Sequence, residues 1–218
     1  MTVDFIVYLA IVALGFVIGL TFFTKAGNYL SAITIYLGAV LILELSGHFM
    51  AVLYKNNMPA FHISLPVYFV LLGLFFYQNM ADDRVRKTIP FTIGGLVLFA
   101  VVNAIFFQSL NEFPTYVARC TTFIYIVWSA FLFAQYLDEA SGENIFKNPV
   151  FMATTAILWF NIISMSFFLL YPFMTKYDLP SETVYNIHFF SNCVYYILLL
   201  LAIVFAKTNL KNDRTILQ

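Results

Sequence analysis

Long uninterrupted apolar runs, separated by short polar punctuation, set the pattern of this 218-residue chain. A helix that crosses a hydrocarbon core of about 30 Å needs roughly 20 apolar residues. Seven runs reach that length, near 5–23, 30–50, 61–80, 89–108, 115–137, 150–171 and 183–206. In lipid every backbone N–H and C=O must be satisfied within the segment, and a closed barrel would instead show alternating strands of about ten residues. The pattern predicts an all-α polytopic membrane bundle of about seven transmembrane helices, a single transmembrane domain over residues 1–218.

The connections around Gly27, Pro59, Asp82, Pro114, Gly142 and Pro180 are short, so successive helices run antiparallel. Pro59, Pro90, Pro114, Pro149 and Pro180 read as helix-opening residues, where a missing N–H costs little. Pro66 falls inside the third run and predicts a kink. The first run follows Met1-Thr-Val-Asp4 with no basic segment before it and no small-residue cleavage site after it. It is therefore expected to stay as helix 1 and not to act as a removable signal.

Orientation follows from the positive charges, because Lys and Arg are retained on the cytoplasmic side. With the N-terminus outside, the inner segments hold Lys25, Arg84, Arg86, Lys87, Lys147, Lys207, Lys211 and Arg214, and the outer loops hold only Lys55 and Lys176. This asymmetry predicts an N-out, C-in protein of the cell membrane, inner or plasma, multi-pass.

Composition agrees with the pattern and removes some functions. Hydrophobic residues make up 62% of the chain and charged ones 10%, against about 25% charged in a typical soluble domain. The formal net charge is +0, and no basic cluster exceeds three residues, so phosphate-backbone attraction is missing and nucleic acid is not an expected partner. The 26 Phe and 14 Tyr need no ligand to explain them, since aromatic residues face lipid and form belts at both interfaces. Cys120 and Cys193 are expected as small buried apolar residues.

Polar chemistry concentrates in the outer half. Only Glu44 and Arg119 are charged residues within the seven runs, and the inferred topology gives them matching depths near the outside. All three histidines, His48, His62 and His188, fall in the same layer. Glu44 and His48 are four residues apart and share a face of helix 2. Helix 7 carries Tyr185, His188, Asn192 and Tyr195 or Tyr196 as a polar stripe, and Asn103, Gln108, Asn161 and Ser164 add polar groups on helices 4 and 6. An outward-facing polar cavity follows.

Three readings of this cluster stay open. Glu44, His48, His62 and His188 supply one carboxylate and three imidazoles, the ligand types of catalytic zinc or a similar divalent metal, although no His-Glu-x-x-His string is present. The same residues can form a structural network in which Arg119 neutralises Glu44, with interhelical contacts of about 0.6 to 2 kcal/mol each. Or they line a small-molecule pocket of Glu44, Arg119, Asn103, Asn161, Tyr185 and Asn192 within an aromatic wall. His62, close to the loop at Pro59, is the histidine best placed to be merely interfacial.

In size and loop style the chain resembles small, uncharacterised seven-helix proteins of bacterial inner membranes, a resemblance that transfers no residue role. Its topology is also similar to that of retinal-binding rhodopsins. Those proteins carry a Schiff-base lysine in the middle of helix 7, whereas here Tyr185-Asn-Ile-His-Phe-Phe-Ser-Asn-Cys-Val-Tyr-Tyr196 has no lysine before Lys207, so no retinal imine is expected. Seven-helix intramembrane zinc hydrolases of the progestin/adiponectin-receptor and alkaline-ceramidase type place a His-x-x-x-His pair on the last helix, and this chain has His188 alone there. The expectation is a ligand- or metal-binding sensory, receptor-type module that sits in the lipid bilayer and acts with a signalling partner protein. The alternatives are a metal-dependent intramembrane hydrolase, in which Arg119 stabilises an anionic group, and a small transporter.

Overall fold

The computed structural model describes residues 3–21, 23, 27–139, 145–177 and 182–216. Among them lie seven α-helices, α1 (Val3–Thr21), α2 (Gly27–Tyr54), α3 (Met58–Asn79), α4 (Asp83–Phe106), α5 (Thr115–Glu139), α6 (Pro149–Lys176) and α7 (Glu182–Ile216), with one 3-10 turn at Ile145–Lys147 and no strand. All seven helices are long and apolar enough to cross a membrane. The chain is an all-α, multi-pass membrane protein.

Side chains that water would penalise support the same conclusion. Phe91 is 83% exposed on α4, and Ile42, Leu98, Ile105 and Phe106 are also exposed. In water such a surface would aggregate, whereas in lipid it is the ordinary outer face of a spanning helix.

The helices extend beyond the apolar runs that announce them. Helix α4 begins at Asp83, not near residue 89, because Asp82 caps it by accepting from the backbone N–H groups of Arg84 (2.7 Å) and Val85 (3.3 Å). Arg84, Arg86 and Lys87 therefore occupy its first turns instead of a loop, and Arg86 pairs with Asp83. Pro90 consequently lies inside α4 rather than opening it. Pro59 sits in the first turn of α3, Pro149 opens α6, and Pro66 lies inside α3, as expected. Pro180 lies outside the described residues. Asn148 caps α6 through Val150 N–H (2.9 Å) and Phe151 N–H (3.2 Å). Lys55, just past the end of α2, adopts φ 56°, a left-handed position that glycine usually fills.

Contacts divide the chain into two compact units, Gly19–Thr121 and the terminal segments Met1–Ile18 with Thr122–Gln218. In the 19–121 unit α3 packs along both α2 and α4, and Ile33, Leu37, Phe69, Phe75, Phe76 and Ile89 are wholly or almost wholly enclosed. Lipid is as apolar as these side chains, so close packing rather than transfer from water holds them. A Cβ at Gly19 would overlap the buried Thr34 side chain, which is why the end of α1 carries glycine where it meets α2.

In the terminal unit α6 packs along α7. Ala153 and Ala156 on α6 and Ala202 and Ala206 on α7 are buried, small residues of the kind that let membrane helices approach closely. The buried Thr154 hydroxyl returns its hydrogen bond to Val150 O of its own helix at 2.8 Å, so it asks nothing of lipid.

Candidate functional site

In the 19–121 unit, α2 and α3 approach closely where Gly47 meets Ala60: a Cβ added to Gly47 would stand 3.5 Å from the Ala60 Cβ. Glu44 on α2 and Ser64 on α3 lie about one turn inward from that contact. Tyr36 shares the Glu44 face of α2, and Tyr68 follows Ser64 by four residues on α3. The Tyr36 and Tyr68 rings meet edge to face with centroids 5.5 Å apart. Tyr36 is buried, and Glu44 lies within electrostatic reach of the Tyr68 hydroxyl.

That hydroxyl is enclosed and has no hydrogen-bond partner among the described residues. Ser129 and Ser191 also carry enclosed hydroxyls without a partner. A serine, however, can turn to a carbonyl of its own helix by a simple side-chain rotation. A tyrosine hydroxyl stands at the end of a rigid ring, too far out to reach its own backbone. Its partner must come from another element, from an ordered water or from a bound molecule.

The histidines divide. His48 is half-exposed, with its ring beside Phe49. His62 points to the loop between α4 and α5, its Nε2 donating to Glu112 O at 2.9 Å. Around this bond Asn56 donates to Asn111 Oδ1 at 2.8 Å, and the Phe61 and Phe113 rings meet at 5.2 Å. Together these residues clasp the α2–α3 connection and the start of α3 to the α4–α5 loop. Glu44, His48 and His62 do not gather as a metal site, and among the described residues no three His, Cys, Asp or Glu side chains do so.

Asn103 and Gln108 serve the same end of this unit. Gln108 Oε1 accepts from Asn103 Nδ2 (3.1 Å) and from Tyr116 N–H (3.1 Å), while its Nε2 donates to Thr115 Oγ1 (2.8 Å) and Phe113 O (3.3 Å). This amide ties the end of α4 to the first turn of α5. Arg119 lies half-buried on α5 in the same unit, and Cys120 beside it is exposed and free rather than buried. The cysteine needs no protein cover because lipid is itself an apolar surrounding.

The terminal unit holds His188, Asn192 and Asn161. His188 is boxed by Phe160 (5.5 Å) and Phe167 (5.4 Å), and Ser164 Oγ lies 3.5 Å from its Nε2. Phe160, Ser164 and Phe167 recur along one face of α6, so they hold the imidazole between α6 and α7. Phe160 also stacks on Tyr195 at 4.9 Å. Asn161 is buried and donates to Ile157 O at 2.7 Å, while Asn192 is half-buried. Cys193 is free and half-exposed, again not fully buried. The Tyr185 side chain lies outside the described residues.

No family model, curated protein or solved structure matches this chain. The candidate site therefore stands on its own geometry. Tyr36 and Tyr68 are not among the residues expected from the sequence, although Tyr36, Val40, Glu44 and His48 recur every four residues and mark one face of α2. Gln108 is expected as a polar group on helix 4, but its use as a tie between helices depends on a loop conformation that no periodicity encodes.

Proposed function

We propose that this multi-pass membrane protein is a ligand-binding module of the receptor or sensor type, whose small-molecule site is the seam between α2 and α3. Glu44 and the Tyr68 hydroxyl fix the polar part of the ligand, and Tyr36 walls it. The observation that carries this reading is the enclosed Tyr68 hydroxyl, without a partner among the described residues, within a membrane-spanning helix. Such a group costs about 1 to 3 kcal/mol unless something supplies its hydrogen bond, and a bound ligand does so.

The excess of Lys and Arg on one side supports an orientation with the N-terminus outside, in a cell membrane, inner or plasma. In that orientation Glu44 and Ser64 lie in the outer half of α2 and α3, and Arg84, Arg86 and Lys87 offer positive charge to a cytoplasmic partner protein. The test is a thermal-unfolding screen of purified protein against a small-molecule library, run in parallel on Tyr68→Phe. The expected result is at least one compound that raises the unfolding midpoint of the unaltered chain and loses most of that effect in the variant. Compounds that stabilise both chains equally, or none that stabilises the unaltered one, would overturn the reading.

A further inference from the structure

We infer that the exposed face of α4 binds an anionic phospholipid, with the headgroup phosphate on Arg84 and Lys87 and an acyl chain along Phe91 and the Gly94–Gly95 pair. The inference goes beyond the ligand-seam reading and does not depend on it. It is carried by two cations that have no ion pair among the described residues, on the same helix face as an aromatic ring left 83% exposed.

Helix α4 has two distinct sides. Ile89, Leu96, Ala100 and Asn103 are buried and share one of them. Arg84, Lys87, Phe91, Gly94 and Leu98 recur at spacings of three and four on the opposite side, and all are exposed. The acidic groups at this helix start are engaged elsewhere: Asp82 caps the backbone N–H groups of Arg84 and Val85, and Asp83 pairs with Arg86. Helical side chains lean toward the N-terminus, so Arg84 and Lys87 reach toward the membrane surface, where the nearest anion is a lipid phosphate. Phe91 lies one turn deeper, at the start of the acyl chains.

The glycines extend the same surface. A Cβ on Gly94 or Gly95 would meet nothing within 4 Å, so no described neighbour in the protein requires glycine there. Glycine within a helix costs about 0.5 to 1 kcal/mol relative to alanine. What the pair leaves is a shallow apolar dent about 11 Å below Lys87, at acyl-chain depth. Helix pairs also use such dents, but copies of a membrane protein share one orientation. Two α4 helices meeting about a twofold axis along the membrane normal would set Arg84 and Lys87 of both copies at one level, like charge against like. A phospholipid brings the opposite charge together with an apolar chain.

The test gives this face its own reporter. Trp128→Phe and Trp159→Phe remove the native indoles, and Phe91→Trp adds one on the α4 face. The purified chain, free of any partner protein, is reconstituted in vesicles of mixed phosphatidylcholine and phosphatidylglycerol. In one series the first lipid carries brominated acyl chains, and in the other the second does. Quenching is expected to show phosphatidylglycerol about fivefold preferred over phosphatidylcholine at the reporter. Arg84→Gln with Lys87→Gln should bring that ratio close to one, and Lys147→Gln, a change elsewhere in the chain, should leave it unaltered.

Equal quenching by the two lipids would overturn the headgroup preference. Quenching by neither would show the face covered by a second copy, and would overturn the inference as well. So would a Lys147→Gln effect as large as that of the double variant, since general surface charge would then be the cause. If the reporter chain does not fold, native mass spectrometry of the unaltered chain decides, from detergent holding equal amounts of both lipids. Retained phosphatidylglycerol must exceed phosphatidylcholine, and the excess must fall in the Arg84→Gln, Lys87→Gln chain. Absence of that excess overturns the inference.

Discussion

His62 Nε2 donates to the backbone carbonyl of Glu112 across 2.9 Å, fastening the start of α3 to the loop between α4 and α5. A carbonyl only accepts, so the ring nitrogen must carry the proton, and its lone pair is not available to a metal in this arrangement. His62→Ala should lower stability by about 0.5 to 1.5 kcal/mol, the net value of one hydrogen bond near the surface. His62→Gln, whose amide can donate in the same direction, should retain most of it. Thermal unfolding of both variants in detergent checks the pair, and equal losses would show that ring packing rather than the hydrogen bond matters.

Gln108 is the stronger tie. Its amide bonds to Asn103, Phe113, Thr115 and the Tyr116 backbone, so Gln108→Ala removes several contacts at once and should cost about 2 to 4 kcal/mol. Because Asn103 and Gln108 act on each other, a double-mutant cycle should show coupling of about 0.5 kcal/mol or more. Purely additive effects would contradict the network.

Gly19→Ala should destabilise the protein by about 1 to 3 kcal/mol despite alanine's better helix propensity, since its Cβ would overlap the buried Thr34 side chain. The diagnostic result is rescue: Thr34→Ala, added to Gly19→Ala, should recover part of the loss. A second substitution that deepens the loss would place the strain elsewhere.

Topology has its own test. In a chain lacking Cys120 and Cys193, a cysteine replacing Asn56 should be labelled by an impermeant thiol reagent from outside intact cells, and a cysteine replacing Lys87 only after the membrane is opened. The reverse pattern would invert the orientation and turn the α2–α3 seam toward the cytoplasm.

Helix number and class were legible because lipid makes one demand on the backbone, and continuous apolar runs are its direct record. Helix ends were not, because they lie where polarity returns. Asp82 begins α4 from within a charged stretch that hydropathy assigns to a loop, and Pro90 falls inside the helix as a consequence. The candidate site divides in the same way. Glu44 stands out as a charge in a span, whereas Tyr68 looks like one aromatic residue among many, and only the packing of α3 on α2 singles it out. His62 bonds to a loop carbonyl and Asn103 to the Gln108 amide, contacts that residue type alone does not announce.

The Tyr68 hydroxyl is enclosed and has no hydrogen-bond partner among the described residues. The most direct measurement is the unfolding free energy of ligand-free protein against Tyr68→Phe, which deletes the hydroxyl and keeps the ring. The variant is expected to be the more stable of the two, by about 1 to 3 kcal/mol, since an enclosed hydroxyl without a hydrogen bond is a cost. A variant less stable than the unaltered chain would contradict it, for the hydroxyl would then already be satisfied within the fold.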